Sequence, residues 1–261
     1  CLVGGVYALV EATAIQTEHI VIKTPKIPKV LGRIRIVQIS DVHLGLIMGK
    51  RQLSRILDVV RAAKPDILVS TGDLLDGQID SIGDLAKQFR EIKPSYGKFA
   101  VNGNHEYYVG IERARKFCRK AGFTLLSHET FDIPGILLVA GVDDMMSNRY
   151  GLVGRPNEKQ LLSEVPTDRF VLVLKHRPLL DETSMGLFDL QLSGHTHRGQ
   201  IFPFTLLIKM LYPIDAGLLK LATGGFLYVN PGSGTWGPPM RFLAPPEVTV
   251  IDLVHGERKN S

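Results

Sequence analysis

The chain has 261 residues, 44% of them hydrophobic and 22% charged, a composition that supplies one large α/β domain or two small ones with a full core. Two cysteines exclude a disulfide framework and a cysteine-based zinc site. The net charge of +5 favours an anionic partner, without choosing among a phosphorylated substrate, a nucleic acid and an acidic lipid surface.

The opening from Cys1 to Val10 (CLVGGVYALV) is nearly all apolar, yet shorter than the roughly 20 residues of a membrane span. It is expected to be either the tail of an anchor or a short packed segment. Residues 17–32, with Pro25, Pro28 and several lysines, are expected to form a polar linker. Residues 1–32 are therefore set apart from a catalytic domain spanning 33–261.

Arg33 to Ser40 (RIRIVQIS) alternates and is rich in β-branched residues, which predicts a strand running into Asp41-Val-His43. Lys50 to Ala63 places Leu53, Ile56, Leu57 and Val60 at helical spacing. Asp66 to Ser70 then predicts a buried strand ending at Gly72-Asp73-Leu-Leu-Asp76. Strand, helix, strand in this order implies a right-handed crossover between parallel strands.

The pattern repeats with a helix near 82–92, a strand at 98–101, the run Gly103-Asn104-His105-Glu106, and a helix near 111–121. Further strands are predicted at 136–140, at 170–174 leading into Lys175-His176, at 189–192 leading into Gly194-His195-Thr-His197, and at 247–253. All five polar runs follow strands, and open α/β sheets build their sites at the carboxyl ends of strands.

Each run carries groups able to bind a cation. In an extended segment residues i and i+2 point the same way, so Asp41 and His43 can grip one metal, and His195 and His197 can serve two neighbouring ions. Asp73 offers two acceptor oxygens able to bridge cations, though an isolated Gly-Asp pair is more often a turn or cap. Asn104 offers a carbonyl oxygen or a left-handed turn. His176 is a ligand or a buried, satisfied histidine. Five independent turns gathering these seven residues at strand ends by accident is the poorer account.

Together the runs D-x-H, G-D-x-x-D, G-N-H-E, a lone His and G-H-x-H resemble the calcineurin-like metallophosphoesterases, over roughly residues 41–197. The resemblance implies an α/β fold in which a two-sheet β-sandwich is flanked by helices. It also implies two divalent metal ions (manganese, iron or zinc): Asp41, His43 and His197 on one, Asn104, His176 and His195 on the other, Asp73 between them. Hydrolysis of a phosphodiester or pyrophosphate bond would follow by in-line attack of a hydroxide held between the metals. His105 is similar to the family's non-ligand histidine, which assists the leaving group, and Asp76 to the carboxylate that orients it. Glu106 is expected to be structural, while Arg177 and Arg198 either clamp phosphate or face solvent.

The family's serine/threonine protein phosphatases carry an arginine after the second Asp and another before G-N-H-E; here Gly77 and Val101-Asn102 stand there, which argues against that identity. Basic and aromatic residues are not interleaved as in nucleic-acid grooves, so nucleic acid is not the expected partner. Ser193–Phe204 and Val229–Pro246 resemble a bacterial branch of membrane-associated phosphodiesterases, the YkuE-like and YaeI-like proteins. This implies a lipid or cell-envelope substrate and a membrane location, peripheral or anchored. Phe202 to Leu221 (FPFTLLIKMLYPIDAGLLKL) is expected either to dip into a bilayer interface or to cap the core. A hydrolase of soluble nucleotides and a non-catalytic scaffold are the alternatives.

Overall fold

The computed structural model describes residues 2–77, 82–151 and 157–256. In chain order, the first half contains α1 (Leu2–Glu11), β1 (Gln16–Thr24), β2 (Arg33–Ile39), α2 (Lys50–Ala63), β3 (Ile67–Ser70), α3 (Ile82–Arg90), β4 (Lys98–Ala100), α4 (Asn104–Val109), α5 (Ile111–Ala121) and β5 (Thr124–Leu125). Then come β6 (Glu129–Ile133), β7 (Leu137–Val142), α6 (Met146–Arg149), α7 (Glu158–Ser163), β8 (Val171–Lys175), β9 (Leu190–Ser193), α8 (Phe204–Leu211), β10 (Gly217–Lys220), β11 (Phe226–Val229) and β12 (Glu247–His255).

Among the described residues the strands form two six-stranded sheets, in the orders β1-β12-β2-β3-β4-β5 and β10-β11-β9-β8-β7-β6. Both inner strand sets are buried on two faces, which is why they read as apolar runs. On β2, Ile34 and Ile36 meet the second sheet while Val37 and Ile39 meet the helices. On β8, Leu172 and Leu174 join the core between the sheets, and Val171 and Val173 face outward under Leu162 of α7. Helix α2 buries Leu53, Ile56, Leu57 and Val60, the stripe its spacing requires, and ends at Lys64 in the left-handed conformation.

Strands β2, β3 and β4 run parallel, as do β7, β8 and β9, so the loops after β2, β3, β4, β8 and β9 emerge at carboxyl ends. Backbone bonds tie those loops together: Asp41 N–H to Gly72 O at 3.0 Å, His43 N–H to Asp73 O at 3.0 Å, and Gly194 N–H to His176 O at 2.9 Å. The two sheets are joined there as well, where Gln38 Nε2 donates to Ser193 O at 2.9 Å.

Two segments differ from the sequence-based expectation. The supposed linker contains β1, which pairs in parallel with β12 from Gln16↔Glu247 to Thr24↔His255. As an edge strand it buries only Ile22 and Thr24, so its apolar periodicity is weak. The Phe202–Leu221 segment is split: no residue of α8 is buried, whereas β10 pairs antiparallel with β11 and Leu221 is buried. Among the described residues no helix is long and apolar enough to cross a membrane; Cys1 lies outside them.

Candidate metal centre

Three groups of side chains converge at the strand ends: Asp41, His43 and His197; Asp73, His176 and His195; and His43, Asp76 and His105. In the first, His43 Nε2 lies 3.0 Å from His197 Nε2, which is 3.4 Å from Asp41 Oδ1. In the second, His176 Nε2 lies 3.1 Å from His195 Nδ1 and 3.2 Å from Asp73 Oδ2. Asp73 Oδ2 is also 3.8 Å from His43 Nε2, so this oxygen stands between the two groups. Asn104 is buried at the start of α4, and its Oδ1 accepts a bond from Arg177 at 3.4 Å. His19, His128 and His255 join none of the groups found among the described residues.

The convergence of Asp41 with His43, and of His195 with its partners, does not come from extended backbone. Asp41, His43, Asp73, His195 and His197 all have positive φ, between 47° and 72°. Non-glycine residues held in that region cost of order 1–3 kcal/mol each, and Asp and His are among the residues that tolerate it best. Neighbouring glycines make room: Gly72 has φ of +99°, and a Cβ there would fall 2.6 Å from His176 Nδ1. A Cβ at Gly194 would fall 1.9 Å from Ser40 Oγ.

The site is buried and charged. Burial alone would raise the Asp41 carboxyl, but His197, His176 and His43 outweigh it and hold Asp41 well below the usual carboxylate range. Burial pushes His43 down to about 3, reinforced by His197. Burial pushes His195 to about 3 as well, helped by His176 and Arg177. Both rings are thus neutral at pH 7, the state a cation requires. His176 Nδ1 donates to Thr71 O at 2.8 Å, which fixes one ring proton there. Burial would lower the pKa of this ring but is outweighed by the Asp73 carboxylate 3.2 Å from Nε2, which pushes it up to about 10, so a cation bound there would displace the second proton. Six imidazole and carboxylate groups, five of them buried and His195 half-buried, face one another at 3.0–3.4 Å and fit a pair of divalent ions and the donor set of such sites.

His105 sits beside this set. Its Nδ1 is 3.1 Å from Asp76 Oδ1, and its ring meets His43 edge-on at 4.6 Å. Burial would lower its pKa, but the Asp76 hydrogen bond and the Asp73 charge raise it, favouring the imidazolium.

Several contributors were not legible in the sequence. Glu106, expected only to be structural, accepts four backbone N–H bonds, from Asp73, Leu74, Leu75 and Gly103 at 2.7–3.0 Å, and so clamps the second motif to the third. Arg177, left open, turns into the site: Asp144 Oδ2 holds its Nε at 2.7 Å, and its Nη1 reaches within 3.0 Å of His195 Nε2. Arg198 instead points to Asp215 at 3.7 Å. Arg241, fully buried, donates to the carbonyls of Gly232, Gly234, Pro231 and Ala244 and stands 3.3 Å from His197 Nδ1. Nothing in the spacing of the Pro-rich stretch around Arg241 marks it, whereas Glu106, three residues beyond Gly103 at the start of a helix, stands where a carboxylate can reach back to the Gly103 N–H.

A two-sheet sandwich whose strand ends gather buried histidines and carboxylates defines a class of protein, the metallophosphoesterases. Residues 34–199 match the model of the calcineurin-like phosphoesterase family, and the chain belongs to that family. An uncharacterized metallophosphoesterase of Aquifex aeolicus is 41% identical over 251 residues, 95% of each chain. The uncharacterized metallophosphoesterase YkuE of Bacillus subtilis is 31% identical over 96% of this chain and 90% of its own. A transmembrane protein with metallophosphoesterase domain from Danio rerio is 34% identical over 95% of this chain, which spans 60% of that protein. Among solved structures, a dimetal phosphatase from Danio rerio shares the fold at a TM-score of 0.50 and 15% identity, over 79% of this chain and 89% of that one.

Proposed function

We propose that this metallophosphoesterase hydrolyses phosphodiester or pyrophosphate bonds with two divalent ions, at a membrane surface and on a lipid or cell-envelope substrate. The observation that carries the reading is the pair of three-residue groups, with Asp73 of the second standing 3.8 Å from His43 of the first and the His105–Asp76 pair alongside. Asp41, His43 and His197 would hold one ion, Asn104, His176 and His195 the other, and Asp73 both. Bound there, the ions would lower the pKa of water towards neutrality and offset charge on the phosphoryl oxygens. Imidazole, carboxylate and amide donors suit manganese, iron or zinc.

The chain's own residues do the rest. Arg177, fixed by Asp144, directs N–H groups over His195 and Asn104, where they can bind a phosphoryl oxygen and orient the ester. His105, whose imidazolium Asp76 favours, would deliver a proton to the leaving oxygen. The membrane reading is supported by α8, whose Leu206, Met210 and Leu211 are exposed, and by the net positive charge.

The test is a chelated protein re-supplied with manganese, iron or zinc and assayed on an aryl phosphodiester. Turnover restored by metal is the expected result. Fully metallated protein that cleaves no phosphate ester would sink the reading and leave a scaffold with the same fold.

A further inference from the structure

A cavity of about 440 Å³ opens directly beside the candidate metal centre, with His195 and His197 at one end and Ile201, Phe204, Leu207, Ile208, Trp236 and Pro238 as its walls. Its size is that of a small-molecule site. Most of the wall is apolar, and its two polar side chains, Gln200 and Thr196, are already engaged with the protein. Gln200 accepts from Trp236 N–H at 2.8 Å and donates back to Trp236 O at 2.7 Å, and Thr196 donates to Asp215 O at 2.7 Å. A nucleobase or sugar placed there would lose more bonds to water than this largely apolar wall can return. A hydrocarbon would lose nothing. The wall formed by α8 is itself apolar on both sides: Phe204, Leu207 and Ile208 line the cavity, while Leu206 and Met210 stand outside it and exposed. A chain leaving the cavity past this helix therefore stays on apolar surface.

We propose that this cavity seats a hydrocarbon chain of the substrate, so that the ester presented to the metal centre is that of a long-chain alcohol or acylated lipid and not of a nucleoside. The inference rests on the phosphate-binding reading of the adjoining centre and specifies which substituent of the phosphate the enzyme recognises. Selectivity arises because the charged end is fixed at His195, His197 and Arg177 while each further methylene leaves water.

Trp236 is the chain's single tryptophan and lines the cavity, so its emission reports occupancy without turnover. The metal-loaded protein is titrated with methyl, butyl and octyl phosphate below their aggregation concentrations, with inorganic phosphate as competitor. The dissociation constant is expected to fall about fourfold per methylene until the cavity is full, with a blue-shifted Trp236 emission and competition by inorganic phosphate. Ile208→Phe, which fills the cavity, should collapse the octyl-to-methyl ratio; Met210→Ser, on the outer side of α8, should not. Equal affinity for butyl and octyl phosphate overturns the inference and leaves the phosphate site standing. So does a nucleoside monophosphate that binds more tightly than octyl phosphate, or a ratio that responds to Met210→Ser but not to Ile208→Phe. Chain-length dependence without competition by inorganic phosphate would instead refute the phosphate-binding reading on which the inference rests.

Discussion

His105 and Asn104 are sequence neighbours with different tasks, and single substitutions should separate them. Asn104 Oδ1 accepts from Arg177, whose other N–H2 reaches His195, whereas His105 turns its ring to Asp76 and Tyr108. Asn104→Ala and His176→Ala should each lower occupancy of one metal site and reduce turnover together with it. His105→Ala should leave two metals per chain by elemental analysis and reduce kcat by about 10²–10⁴, the usual worth of a general acid. Equal metal loss in all three variants would refute the division. Glu106→Gln is a sharper test of the scaffold beneath them. A carboxylate can accept from all four backbone N–H groups, but an amide turns its own N–H2 towards two of them. Each N–H left unsatisfied costs ~1–3 kcal/mol, so Glu106→Gln should lower the denaturation midpoint and weaken metal binding together, while Glu106→Asp, too short to reach, should do no better.

At the scale of elements, strand ends and helix ends are held by a few buried polar contacts, and one of them titrates in an accessible range. Lys98 on β4 donates through Nζ to Phe89 O at the end of α3 and to Ala121 O at the end of α5, at 2.7 and 2.6 Å. Burial, with a smaller push from Arg90, lowers its pKa from 10.5 to about 8. Between those two values the unfolded chain binds more protons at this position than the folded one. Its contribution to stability therefore rises as pH rises from about 8 to about 10.5 and is flat on either side. Urea denaturation of wild type and Lys98→Met at pH 7.5 and 10 should show a difference between the two proteins that changes with pH in this direction. A difference independent of pH would mean that the ammonium is not desolvated as its position requires. The helices themselves were legible from the sequence, the one at Lys50–Ala63 and the one near 111–121 alike, because each buries one stripe at helical spacing. β1 was not, because an edge strand with seven of nine residues outside the core leaves almost no periodic signal.

In the whole molecule the five motif loops were legible because their chemistry is unusual at strand ends, but the way they meet was not. The sequence suggested side chains alternating along extended backbone; instead five of the candidate ligands occupy left-handed backbone, a geometry enforced by Glu106, Arg241 and the close approach of Gly72 and Gly194. The surface beside the centre was equally hidden, since apolar composition in Phe202–Leu221 does not distinguish a buried cap from an exposed helix. The structure joins that helix to the amino-terminal one through Phe242. Tyr7 of α1 meets its ring edge-on at 5.7 Å, and Phe202, just before α8, donates its N–H to the Phe242 carbonyl at 3.0 Å. Val3, Val6 and Val10 of α1 and Leu206, Met210 and Leu211 of α8 are exposed. Exposed apolar side chains of this kind suit a bilayer interface, and the membrane reading predicts the energetics of those on α8. Fully burying one leucine or methionine is worth ~1.5–3 kcal/mol, so replacing Leu206, Met210 and Leu211 together by serine should reduce partitioning onto anionic liposomes by about two orders of magnitude or more. Flotation measures this directly, with circular dichroism to verify that the helix content is kept. If the triple variant floats as wild type does, α8 is not the membrane contact, and the exposed face must serve another partner. If neither protein floats on anionic or neutral vesicles, the location proposed for the enzyme is wrong, while the reading of its metal centre is untouched.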